Sequence, residues 1–247
     1  MPTSPAIRVL ALAVIASSCR APAPSAAIDP SLASRVPSST IALAGVNLNQ
    51  LRASPLYPKL PPAATAFLEP FRGAHTLLIA STGAELLTIA RGAVPGATHV
   101  AADVALLGSP ALIASATAPH ERPAVLAAAE TVAAGHPIWI AVRGGAPLPL
   151  EGNLANANNL VSLAESLTLA LTLRDVIDLE LTARCPSPAA AAEFERRFRA
   201  LVSLTTAANS RQPEIAGLLR SVQLRRQEST VHATLSAPPD ALGKLLP

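Results

Sequence analysis

The chain has 247 residues, a formal net charge of +3 and a hydrophobic fraction of 50%, yet only 2% of it is aromatic. So few rings exclude base stacking on single-stranded nucleic acid and aromatic sugar platforms, and so small a charge leaves no footprint for a nucleic-acid partner. Alanine inflates the apolar total, so any core is built from Leu, Val, Ile and Ala, in a chain long enough for one large domain or two small ones.

The N-terminus carries Arg8, an unbroken apolar run over residues 9–16, then Ser17, Ser18 and Cys19. A charge, a short apolar stretch and small residues in that order make an export signal, and the stretch is too short to cross a bilayer as a helix. Ala16-Ser17-Ser18-Cys19 resembles the lipobox of bacterial lipoproteins, with alanine where leucine is usual three residues before the cysteine. The resemblance implies cleavage before Cys19 and acylation of that residue, and anchoring follows because each buried methylene adds about 0.8 kcal/mol. Arg20 is, by the same resemblance, no inner-membrane retention signal, which points to an outer-membrane anchor facing the periplasm. Ordinary secretion is the alternative: Ser25, Ala26 and Ala27 also suit a small-residue cleavage rule, and Cys19 would then be discarded. Residues 1–18 are read as a signal peptide. Residues 19–37, with Pro22, Pro24, Pro30 and Pro37 among Ala and Ser, are read as an unpacked tether.

Residues 40–47 read as a strand, residues 48–71 as helix interrupted by prolines, and residues 74–81 with 85–92 as a hairpin around Thr82 and Gly83. A strand at residues 104–107 feeds a helix from Ser109, and another helix covers residues 123–134. Residues 137–143 form a strand that sets Trp139 opposite Ile138 and Ile140, and a covered position suits so large a ring.

Helical residues 154–164 follow, and then the pattern is clearest. From Ser166 to Leu173 the leucines Leu167, Leu169, Leu171 and Leu173 alternate with Ser166, Thr168, Ala170 and Thr172, which predicts a strand with one buried face. After a turn at Arg174 and Asp175, residues 176–183 alternate in the same way and complete an antiparallel hairpin. Residues 186–208 switch to helical spacing through Ala190, Phe194, Phe198, Leu201 and Val202, with Ser187 and Pro188 as the start signal. Residues 221–226 and 230–236 form a last hairpin, and residues 237–246 a short closing helix.

No constellation carries recognisable chemistry. The histidines His75, His99, His120, His136 and His232 have no zinc-pair spacing, no C-x-x-C, G-x-S-x-G or phosphate-cradle glycine pattern occurs, and so no catalytic, metal or cofactor residue is assigned. His232 is expected on the polar face of its strand, within reach of Asp178 or Glu180. Cys185, between a strand and a helix, is expected to be a buried structural thiol. Gly144 and Gly145 read as a turn, and Asn153, Asn156, Asn158 and Asn159 as a helix start. Arg196, Arg197, Arg199, Arg211, Arg220, Arg225 and Arg226 interleave with Glu193, Glu195, Glu214 and Glu228 and read as solvated faces.

The stretches IALAGVNLNQLRASPLYPKL, VALLGSPALIASA and CPSPAAAAEFERRFRALV resemble those of alanine-rich exported bacterial proteins and lipoproteins. The resemblance implies architecture and export and no activity. Both halves run strand, helix, hairpin, helix, so the expected fold is α+β: two similar antiparallel sheets, each with helices on one face, arising by degenerate internal duplication over residues 38–135 and 136–247. The expected function is non-enzymatic: a lipid-anchored envelope protein presenting its domain to a protein partner. An apolar-ligand carrier and a hydrolase with dispersed residues are the alternatives.

Overall fold

The computed structural model describes residues 28–148 and 158–241; the expected signal peptide over residues 1–18, Cys19 and the expected tether up to residue 27 lie outside the described residues. The fold is α+β, and its strands form one sheet where two were expected. From the centre outward, the first half supplies β1 (Ala42–Asn47), β2 (Gly73–Ser81), β3 (Leu86–Ala93), β5 (Val104–Leu107) and, at the edge, β4 (Thr98–Ala101). The second half supplies β6 (Ile138–Arg143), β7 (Ser166–Leu173), β8 (Ile177–Arg184), β10 (Thr230–Ala237) and, at the other edge, β9 (Gln223–Gln227). The halves fuse because β1 pairs antiparallel with β6, from Ala42 opposite Val142 to Val46 opposite Ile138. Neither strand carries a charge or proline along that run, so neither is built as a free edge. The two real edges are guarded: β4 has four residues, and β9 reads Gln-Leu-Arg-Arg-Gln.

Side chains start the helices. Asn47 accepts the Gln50 N–H at 3.0 Å to cap α2 (Leu48–Ala53), and Ser109 accepts the Leu112 N–H at 3.3 Å to cap α4 (Pro110–Thr117). Ser187 does the same for Ala190 at 3.1 Å in α7 (Pro188–Ala208), whose proline sits where its missing donor costs nothing. On its exposed side, Glu195 accepts from Arg199 at 2.8 Å, one turn away.

The helices do not keep to one face, a second correction. One face of the first half is covered by α1 (Pro30–Ala33), α4 and α5 (Val125–Ala133), which bury Leu43, Leu78, Leu87, Ile89 and Leu106. On the opposite face α2 and α3 (Pro62–Leu68) bury Leu77, Ala90 and Ala105, and this cluster extends to Leu173 and Ile177 of the second half. Further along the same face, α6 (Asn158–Val161) and α7 bury Ala183 and Val231 beneath Leu160 and Phe194. The neighbours Leu77 and Leu78 are both fully buried, on opposite faces of one strand.

The tether reading fails for residues 28–37. Ile28, Leu32 and Val36 recur at a spacing of four and are buried against α4 and α5, while Pro30 opens α1. Prolines had disguised this buried spacing, of which Leu32 lies within α1 and Ile28 and Val36 flank it. This strap is pinned by the Asp29–Arg91 ion pair, with Arg91 Nε also 2.8 Å from Asp103, and by His120, whose Nε2 lies 2.8 Å from the Val36 carbonyl oxygen.

Burial pushes the Asp29 carboxyl up, but the hydroxyl and N–H of Ser31 and the Arg91 guanidinium outweigh it and hold it below the usual carboxylate range. A carboxyl depressed on folding stabilises the folded state above its unfolded value of about 3.9, and that contribution fades as pH falls through the folded value. Protection factors of residues 31–36, corrected for the intrinsic pH dependence of exchange, are therefore expected to fall on acidification below about pH 4 in the parent chain. In Asp29→Asn they should be low already at neutral pH; equal protection in both proteins at pH 7 would count against the pin.

Candidate functional site

The clearest surface feature is an apolar band left open on the sheet. Strand register places Ile79, Ala44, Ile140 and Leu169 side by side in one row. On one side of it lies the row of Leu77, Val46, Ile138 and Leu171, packed with α2 and α3; on the other, Leu167 and Ala183 pack with α6 and α7. Ile140 is 39% exposed while Ile79, Ala44 and Leu169 are half-buried, and Leu86, in the neighbouring row opposite Ser81 on the same face, is 61% exposed. Strands apolar on both faces belong to sheets covered on both faces. Here β1, β2 and β6 have that composition, and cover on one face stops short of the band. The opposite face of the second half is ordinary by comparison, since Thr168, Thr182, His232 and Arg225 stand in register as a solvated polar row.

A second gathering lies where β1 ends and β6 begins. A cleft of about 450 Å³ is lined there by Asp29, Asn47, Gln50, Thr76, His136 and Trp139. Trp139 is 5% exposed, with its indole laid over Gly45 so closely that any side chain there would overlap the ring. His136 Nδ1 is 3.1 Å from Thr172 Oγ1, and its Nε2 is 3.9 Å from the Glu180 carboxylate. Hydroxyl, imidazole and carboxylate in that order could in principle form nucleophile, base and orienter. The geometry serves that chemistry poorly: Glu180 is beyond hydrogen-bond range of the ring, and Thr172 is buried on the sheet face that carries Trp139. What the contact does is hold the α5–β6 connection onto β7.

The other residues singled out in the sequence have structural partners. Cys185 is buried, its N–H donates to the Ser229 carbonyl at 2.8 Å, and burial, helped by Glu165, pushes its thiol up, away from the reactive thiolate. His232 meets Thr182 Oγ1 at 3.1 Å, while Asp178 takes the Ser236 hydroxyl and Glu180 faces His136. His75 reaches Asn49 only at 3.4 Å, and His99 is exposed on edge strand β4. Asn158 binds both the N–H and the carbonyl of Leu148, at 2.9 and 3.0 Å; Asn153 and Asn156 lie outside the described residues. Hydrogen bonds from Arg199 and Arg226 hold the Glu195 carboxyl below the usual range. Among the described residues no cluster of His, Cys, Asp and Glu could hold a metal ion, and no helix is long and apolar enough to cross a membrane.

Sequence reasoning did not find the band, although the signal was present: Leu77 to Ala80 and Ile138 to Val142 lack the polar alternates that a half-solvated strand shows. The His136–Thr172 contact, 36 residues apart, had no local signal.

No family model and no curated protein matches the chain. Its fold is similar to that of TP0453. Crystal form III of TP0453 superposes with a TM-score of 0.54 at 10% identity, covering 90% of this chain and 99% of that one. Form I gives a TM-score of 0.50 at 9% identity, covering 89% and 96%. At such identities the likeness is one of fold.

Two measurements check this geometry. A maleimide should leave Cys185 unlabelled in the native protein and label it fully in denaturant; rapid native labelling would contradict the buried thiol. Gly45→Ala should lower stability by about 1–3 kcal/mol through overlap with the indole, read by denaturant titration of the fluorescence of Trp139.

Proposed function

We propose that the protein is a non-enzymatic, exported lipoprotein of the cell envelope, anchored through Cys19 on the periplasmic side of the outer membrane, whose open apolar band binds a protein partner. One observation carries the reading: the central strands have the composition of a sheet covered on both faces, and the cover stops short of Ile79, Ala44, Ile140 and Leu169. Because α2 and α3 flank the band on one side and α6 and α7 on the other, the occupant is narrow. A helix about 10–12 Å across suits such a gap, whereas a planar bilayer would meet the flanking helices first.

The alternatives draw less support. Carriage of an apolar ligand beneath α1 to α5 needs a void there, and that space holds Leu78, Leu87, Leu126 and Trp139 on one face and Leu51, Leu68 and Phe71 on the other. Hydrolysis needs an oriented base, and His136 lies beyond hydrogen-bond range of Glu180. We further infer that the two halves descend from one duplicated unit. The strand order running outward from the centre supports this, first to second to third to fifth to fourth in each half.

Photo-crosslinking in cells tests the contact. A benzoylphenylalanine in place of Ile140 or Leu86 should yield a discrete protein adduct that the same group in place of Thr234, on the polar face, does not. Adducts to lipid alone, or identical patterns from both faces, would sink the contact role. For the anchor, palmitate labelling should vanish in Cys19→Ser, and a mature amino terminus found beyond Ala27 would refute it.

A further inference from the structure

We propose a second, separate binding site, for a free long-chain fatty acid, in the cleft between α7, α8 (Pro213–Arg220) and β9. The site arises from the length of α7. Its first turns bury Ala191 and Phe194 against the sheet, and the apolar stripe then continues along the same side through Phe198 and Val202, where no residue of the helix is fully buried. Phe198 stacks on Phe194 with ring centroids 6.1 Å apart and planes 10° apart, which fixes its edge at the head of the cleft. From the other side α8 and β9 contribute Leu219, Val222 and Leu224, all half-buried. The result is an amphipathic channel of about 620 Å³, open along one side and within the size range of small-ligand sites; its apolar walls are interrupted on α7 by Ser203 and Thr206 and beyond it by Ser210.

Charge selects the occupant. The cleft is lined by Arg199 and Arg220 and by no carboxylate. Glu195 engages Arg199 at 2.8 Å and Arg226 at 2.9 Å, one carboxylate shared between two guanidinium groups, so that trio keeps a net positive charge beside the cleft. Arg220, at the end of α8, has no ion pair among the described residues. A channel with apolar walls, an unpaired Arg220 at its rim and a net positive charge beside it is complementary to a single acyl chain ending in a carboxylate, which the arginine fork can bind through two hydrogen bonds. An uncharged chain would leave Arg220 without a partner. The site lies apart from the Ile140 band and does not depend on the contact role proposed for it.

The test uses the full chain carrying Cys19→Ser, so that no attached acyl group competes, and titrates it with palmitate by calorimetry. One site per chain is expected, with Arg220→Gln weakening it about tenfold and hexadecanol binding about as weakly as palmitate does to that variant. Leu219→Glu should abolish binding, and hydrogen exchange should show palmitate protecting the backbone of α7, α8 and β9. Absence of palmitate binding, binding indifferent to Arg220→Gln, or protection confined to other elements would overturn the site. So would capture by vesicles of phosphatidylglycerol without binding of free palmitate, since that would assign the basic cleft to a membrane surface. Arg220 is exposed, so its variant folds whether or not Leu219→Glu does.

Discussion

The antiparallel pairing of β1 with β6 is the contact on which the rest of the molecule depends. It removes two apolar edges at once and makes two five-stranded halves into one sheet. Through it Trp139 comes to lie on Gly45, and Leu173 and Ile177 of the second half enter the same apolar cluster as Leu51 and Leu68 of the first. The hydroxyl of Ser54, just after α2, donates to the Leu173 carbonyl at 2.7 Å and ties the halves again at that end. Both clusters of the first half are completed by residues of the second, while the cluster beneath α7 belongs to the second half alone.

How much of this was readable depended on how each element is stabilised. The second half announced itself because its strands after β6 have one face more polar than the other: the leucines from Leu167 to Leu173 alternate with Thr168, Ala170 and Thr172, and β7 falls on the residues expected for it. The long helix was equally legible, with Ser187 and Pro188 marking its start and Phe194 its buried stripe. In the first half the strands other than β4 were found, but residues such as Leu77 and Leu78 point to opposite faces and both need cover, so period two carried no information about which face was inside. The same feature hid the register between β1 and β6, since a strand apolar on both sides does not specify its neighbour by pattern.

The misses have separate causes. Edge strand β4 is four residues with almost no burial, too short to show periodicity. The strap was read as tether because Pro30 and Pro37 suggested irregular chain, although Ile28, Leu32 and Val36 keep the spacing of a packed helix. As for the candidate site, its floor was present in the sequence as runs without polar alternates. Its openness was not, because where α2, α3, α6 and α7 come to rest is a matter of tertiary packing.

The two guarded edges carry a consequence for assembly. A sheet this wide, if it ended in bare strands, would template the addition of further copies and grow into fibres. The arginines of β9 at one end and the brevity of β4 at the other deny that route. Extension of the sheet by backbone ladders is thereby opposed at both ends, and its width is capped at the ten strands that one chain supplies.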